Sequence, residues 1–149
     1  MDVPVTPKRE EISELFQKGQ YAELQNKFGI KLIGEAGTLS CDGYVLNSLN
    51  IVANEQTIKA LLEAPRLKDP ARGIILYSFK ERKGIKHYGV FDDGMVTSKW
   101  ERGNPVFRHR IEDIPAQYGD FVEFVLYTPE LIANLHAAER APKRTEEEY

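Results

Sequence analysis

The stretch from Gly73 to Tyr127 constrains the fold more than any other part of this 149-residue chain. Gly73-Ile-Ile-Leu-Tyr-Ser-Phe79 is apolar at successive positions and reads as a strand buried on both faces. Residues 85–91, 95–100, 105–111 and 121–127 follow as four more strand segments. Asp92-Asp93-Gly94 is tight-hairpin chemistry, because residues that accept positive φ match the twist of the strands they join. Residues 80–84 and 101–104 are charged, glycine-bearing turns. No helix-length crossover separates these segments, and a parallel pair would need one. One mainly antiparallel, five-stranded sheet is therefore expected.

Helical periodicity dominates the first half. Thr6-Pro7 is a helix start, with a capping hydroxyl ahead of a first-turn proline. Ile12, Leu15 and Phe16 then share a face, and Gly19 is a stop. Residues 1–7, with two prolines, read as a loose arm. A second short helix carries Tyr21 and Leu24 and ends near Gly29, and residues 30–33 suit a short strand. After a loop over 34–40, a helix runs from Cys41 to about Val52 with Tyr44, Val45, Leu49 and Val52 inward. Asn54 caps another helix, which Pro65 ends. Thr128-Pro129 opens a last helix carrying Leu131, Ile132 and Leu135. Helices first and antiparallel strands after them mean an α+β fold, with the helices expected on one side of the sheet. Residues 1–140 form a single domain in this reading, and the polar residues 141–149 a disordered tail.

Composition narrows the function. A net charge of −3 argues against a general nucleic-acid binder. Cys41 is the only cysteine, so neither an intrachain disulfide nor a cysteine-rich zinc site can form. The histidines at 87, 109 and 136 are scattered, without the spacing of a zinc-peptidase helix, so no metal and no organic cofactor are expected. No apolar run approaches a membrane span, and the first ten residues lack the apolar core of a signal peptide. A cytoplasmic protein without membrane contact is the expectation.

Two residues stand out chemically. Cys41 follows a glycine-bearing loop and opens a helix, where unpaired N–H groups and the helix dipole favour the thiolate. The same N–H groups can receive charge that develops on a substrate carbonyl. His87 lies in Ile85-Lys-His-Tyr-Gly-Val-Phe91, where Ile85, His87 and Gly89 share a strand face. Gly89 is expected to leave space beside the imidazole for a nucleophile and a substrate. Taken singly, Cys41 reads more readily as a small core residue and His87 as a structural histidine.

Read together, Ser40-Cys-Asp-Gly-Tyr-Val45 resembles the Asp-Cys-Ser-Gly-Phe-Val nucleophile segment of the NlpC-type cysteine peptidases, papain-like enzymes that cut bacterial cell-wall peptides. Ala71-Arg-Gly-Ile-Ile-Leu-Tyr77 is similar to that family's Arg-x-Gly-Asp-Leu-Val-Phe strand. Residues 85–91 with Asp92-Asp-Gly94 are similar to its His-Val-Gly-Ile-Tyr strand and the hairpin after it. The likeness runs over residues 38–100 and keeps the order of the landmarks. It implies a papain-like fold, Cys41 as nucleophile and His87 as base. The residue that orients the base then falls on the strand after the hairpin, at Ser98, with His109 on the next strand as the alternative. Ser40 stands where the cell-wall enzymes carry aspartate, and Ile74 follows Gly73 where they carry another. Both differences point away from cell-wall peptide as substrate.

The expected activity is hydrolysis of an amide, isopeptide or thioester bond in a peptide or protein through an acyl-enzyme on Cys41. The alternative is a non-catalytic binding module on the same fold, such as an immunity protein, an inhibitor or a phage assembly factor.

Overall fold

Turn chemistry sets the sheet. The computed structural model describes residues 1–101 and 105–140. The strands β2 (Gly73–Ser78), β3 (Ile85–Asp92), β4 (Met95–Lys99) and β5 (Pro105–His109) form an antiparallel meander. β6 (Phe121–Leu126) adds antiparallel to the outer side of β2. The segments read from sequence all become strands, each ending within two residues of its expected bounds. The turn expected at 101–104 lies largely outside the described residues, as do residues 141–149.

The sheet has six strands among the described residues, not five. β1 (Lys31–Glu35) pairs with β5 at the far edge, giving the order β1-β5-β4-β3-β2-β6. Residues 30–33 carry strand propensity, but their pairing partner lies more than 70 residues away, and local pattern does not show it.

Helices cover both faces, which corrects the one-sided expectation. α1 (Pro7–Gln17) and α2 (Tyr21–Phe28) place Ile12, Phe16 and Leu24 against Ile75, Tyr77, Val96, Trp100 and Phe107. On the opposite face α3 (Cys41–Ser48), α4 (Glu55–Glu63) and α5 (Pro129–Arg140) place Val45, Leu46, Leu61, Leu131 and Leu135 against Ile74, Leu76 and Val125. β2 explains the arrangement: the side chains of Ile74, Ile75, Leu76 and Tyr77 alternate between the layers and all are buried, so both faces need covering. α3 ends at Ser48, and Val52 is 66% exposed rather than inward. Asn50, at φ 61, turns the chain out of the helix toward the Asn54 cap.

The N-terminal arm is not loose. Val3 donates its N–H to the Asp120 carbonyl at 2.8 Å, and Val122 donates to Met1 at 2.9 Å, so the arm bridges onto β6. Arg9, 1% exposed in the first turns of α1, fixes the arm. Its guanidinium donates to the carbonyls of Val3 (2.7 Å), Ile114 (3.0 Å) and Pro115 (2.9 Å). Ser13, one turn on, accepts the Ala116 N–H at 2.7 Å. The first helix thereby holds the loop that enters the 3-10 turn Ala116–Tyr118.

Candidate active site

Cys41 begins α3, as the capping logic requires. The Ser40 side chain accepts the Gly43 N–H at 3.2 Å, and the Asp42 carboxylate accepts the same N–H at 2.8 Å. The N–H groups of Cys41 and Asp42 remain without a partner of this kind at the start of the helix. Burial pushes the thiol pKa up, and the N–H of Tyr88, followed by those of Asp42 and Cys41, opposes that rise.

The contribution from Tyr88 reflects an irregularity of the sheet. β3 pairs with β4 only through Val90–Thr97, Phe91–Val96 and Asp92–Met95. Beyond Thr97, β4 continues along β5, while the first half of β3 stays with β2. The two strands fork. Asp92 and Met95 close a two-residue hairpin, and in an antiparallel ladder every second residue turns its N–H and C=O to the same neighbour. Asp92, Val90 and Tyr88 therefore all face β4, and Tyr88 faces it where the ladder has stopped. α3 packs on both strands and sets Cys41 in the same layer as the Tyr88 side chain.

His87 departs from the ladder on the other layer. It pairs with Tyr77, and its ring stacks on Tyr118, with centroids 4.1 Å apart and planes 11° from parallel. The ring is fully buried, and neither nitrogen has a hydrogen-bond partner among the described residues. No hydrogen bond joins it to Cys41. Burial drives its pKa well below the ordinary value, and the nearby His109 and Lys99 push in the same direction. The Cys41 thiol therefore lies in the α3 layer and the His87 ring in the opposite, Tyr77–Tyr118 layer, so the two side chains do not face one another as the sequence led us to expect, and each favours its neutral form.

Ser98 does not orient His87. Its hydroxyl bonds His109 Nε2 at 2.9 Å and accepts the Trp100 indole N–H at 3.1 Å. His109 Nδ1 donates to the Arg110 carbonyl at 2.7 Å, which leaves Nε2 as the acceptor of the Ser98 proton. Trp100, Ser98 and His109 form a closed, satisfied relay in the core, and burial pushes the His109 pKa down to about 4. Ser98 still packs beside β3, its Cβ 3.3 Å from where a Cβ on Gly89 would lie, but its hydroxyl is turned to His109 and Trp100 and not to His87. His109 does not bond the ring either.

Gly89 also plays a different part from the one expected. A Cβ there would lie 2.6 Å from Val96 Cγ1 and 3.1 Å from Ile75 Cγ2. The glycine admits the packing of adjacent strands, and no working space opens beside the imidazole. The residue that sequence reasoning missed is Tyr118. Tyr118-Gly119-Asp120 reads as a turn, and it is one: Gly119, at φ +124, lies against the Ser78 backbone, and Asp120 donates to the Ser78 carbonyl at 2.9 Å. Nothing in the local pattern indicates that this turn lays a phenol on His87. His136 lies half-exposed on α5 beside Glu139, away from the fork.

Among the described residues no group of His, Cys, Asp or Glu is arranged to hold a metal ion, and no helix is long and apolar enough to cross a membrane. Comparison with protein-family models, with curated proteins and with solved structures returns no match.

Proposed function

We propose that the chain is a cysteine hydrolase of papain-like architecture, acting on amide, isopeptide or thioester bonds. The observation that carries this reading is the fork itself. A cysteine opens a helix that packs on β3 and β4, and β3 carries, on its other face, a buried imidazole with two unpaired nitrogens. Unpaired buried polar atoms are costly, on the order of 1–3 kcal/mol each, and a purely structural histidine normally finds partners, as His109 does.

The chemistry follows from the protonation states. With both groups neutral at rest, the Cys41 S–H proton passes to a His87 nitrogen as the sulfur attacks the substrate carbonyl, a step that requires the imidazole to leave its stack on Tyr118 and reach the thiol's side of the sheet. The carbonyl oxygen takes up the negative charge, and the N–H groups of Cys41, Asp42 and Tyr88 supply the positive field around the sulfur. Collapse expels the leaving amine or thiol, which takes the proton from His87 and leaves a thioester on Cys41. Water, deprotonated by His87, then releases the acid and restores the thiol.

A binding module on the same fold is the second reading, favoured by one observation: no polar group orients His87. One experiment separates them. The full chain is treated with p-nitrophenyl acetate, and acylation of Cys41 is followed by intact mass, with hydroxylamine release identifying a thioester. The hydrolase reading expects His87→Ala to slow both acylation and deacylation by about 100-fold. Equal, slow labelling of both proteins leaves the binding module.

A further inference from the structure

We propose that the outer edge of β1, with the cations beside it, is a docking site for an extended polypeptide segment that alternates acidic and apolar side chains. This docking site is independent of the chemistry at Cys41. Three observations carry it.

The first is that the two edges of the sheet differ. At the β6 edge the backbone groups are taken: Phe124 and Leu67 exchange hydrogen bonds at 2.8 and 3.0 Å, and Asp120 and Val122 bond Val3 and Met1. At the other end of the order, β1 pairs with β5 alone, and all five of its residues are exposed. Alternation shows which of its amides are free. Trp100 donates to the Pro105 carbonyl, so Pro105, Phe107 and His109 face β4, and Val106 and Arg108 face β1. Their partners Lys31 and Gly34 turn their backbone groups to β5, while Leu32 and Glu35 turn theirs out of the sheet. Such an edge is a template for an added strand.

The second is the charge beside that edge. Lys31, Arg108 and Thr97 stand side by side across β1, β5 and β4, and Lys99 shares their face. On this face α3, α4 and α5 bury residues of β2, β3 and β6, and none of β4, β5 or β1 belongs to that cluster. Lys31 and Arg108 are exposed, and like charges directly opposite one another on a ladder repel. Among the described residues no carboxylate forms an ion pair with Lys31, Lys99 or Arg108, in a chain whose net charge is −3.

The third is the apolar surface on the other face of the same strand. Leu32 is the partner of Phe107, so it points away from the Lys31 side, and it is 43% exposed; Ile33 is 47% exposed. A strand laid along β1 alternates its side chains between the two faces, setting acidic groups beside Lys31 and Arg108 and apolar groups beside Leu32. Charge also decides against a second copy of this chain. Antiparallel pairing of two β1 edges keeps equivalent faces together, because the two-fold axis stands perpendicular to the sheet, and would gather Lys31 and Arg108 of both copies on one surface.

In the test, trace fluorescein-labelled Glu-Val-Glu-Val-Glu-Val peptide is titrated with the full chain and followed by anisotropy. Amide hydrogen exchange of the chain is measured with and without the unlabelled peptide. Binding should be measurable below about 0.5 mM and weaken about tenfold between about 50 and 300 mM salt, and the amides of Leu32 and Glu35 should become protected. Lys31→Glu combined with Arg108→Glu should weaken this peptide about tenfold or more and create binding of Lys-Val-Lys-Val-Lys-Val. Leu32→Pro, which removes an outward N–H and no bond to β5, should abolish binding. Circular dichroism and Trp100 fluorescence establish that each variant is folded; should Leu32→Pro prove unfolded, the exchange protection, which needs no variant, decides in its place. No binding up to about 2 mM, or binding without protection of Leu32 and Glu35, overturns the docking site. A charge-reversed variant that keeps its affinity for the acidic peptide overturns it too. So does hexaglutamate or oligothymidylate binding the parent as tightly as the alternating peptide, since charge alone would then suffice. Dimerisation of the parent in sedimentation equilibrium that Leu32→Pro removes would give the edge to a second copy and overturn the acidic partner.

Discussion

Replacing Arg9 with Met should be among the most damaging single changes in this protein. The guanidinium is 1% exposed and donates three hydrogen bonds to backbone carbonyls at 2.7–3.0 Å. Hydrogen bonds from a charged donor contribute about 1.5–3 kcal/mol each, so three amount to roughly 4–9 kcal/mol. Burying the guanidinium offsets several kcal/mol of this, an opposition that shows as a lowered Arg9 pKa caused by desolvation. Met restores much of the packing but leaves the Val3, Ile114 and Pro115 carbonyls without their donor. A net loss of about 3–5 kcal/mol is expected. Trp100, the only tryptophan and fully buried against Phe16 and Phe107, reports unfolding by fluorescence. With a urea m-value of about 2 kcal/mol/M, the midpoint should fall by roughly 2 M at unchanged m. A shift under about 0.5 M would refute the reasoning, because it would mean that the carbonyls find other partners at little cost.

Three further outcomes are expected. Ser98→Ala should cost about 1–3 kcal/mol, since it strands the Trp100 N–H and His109 Nε2 together; thermal unfolding measures this, and Cys41 alkylation should not change. The folded-state pKa of His109 is about 4, below the ordinary 6.5, so the unfolded chain binds its proton first. The stability that comes from keeping it neutral is complete above pH 6.5 and is lost as pH falls toward 4, by about 1.4 kcal/mol per pH unit, and His109→Gln should flatten that part of the stability–pH curve. Gly119→Ala would set a Cβ 2.2 Å from the Ser78 carbonyl oxygen at a φ of +124; it should lower the unfolding temperature by several degrees and disturb the His87 imidazole resonances, whereas Gly94→Ala, with open space around it, should cost less.

Period and punctuation carry most of what was legible in the sequence. The alternating and continuous apolar runs from Gly73 onward, cut by Asp92-Asp93-Gly94 and its neighbours, specify the strands and their antiparallel sense, because short turns permit nothing else. Thr6-Pro7, Ser40 and Asn54 specify helix starts for a local reason: an orphan N–H needs an acceptor within three residues, and each of these side chains supplies one. Cys41 at a helix start is legible on the same ground. Long-range partnership is not. Which side of β5 receives β1, that both faces of the sheet are covered, and that residues 1–3 bridge onto β6 depend on contacts between segments far apart in the chain. The fork between β3 and β4 is decided the same way. The ladder ends after Val90 and Thr97, where α3 packs on both strands, and the Ser98 hydroxyl, still beside Gly89, goes to His109 and Trp100. By itself the sequence determined where the chain turns, which segments are helix or strand, and that a thiol opens a helix, all of which are settled within a few residues. Only the tertiary structure decided what faces the imidazole, because that depends on three elements meeting at a gap that no local pattern encodes.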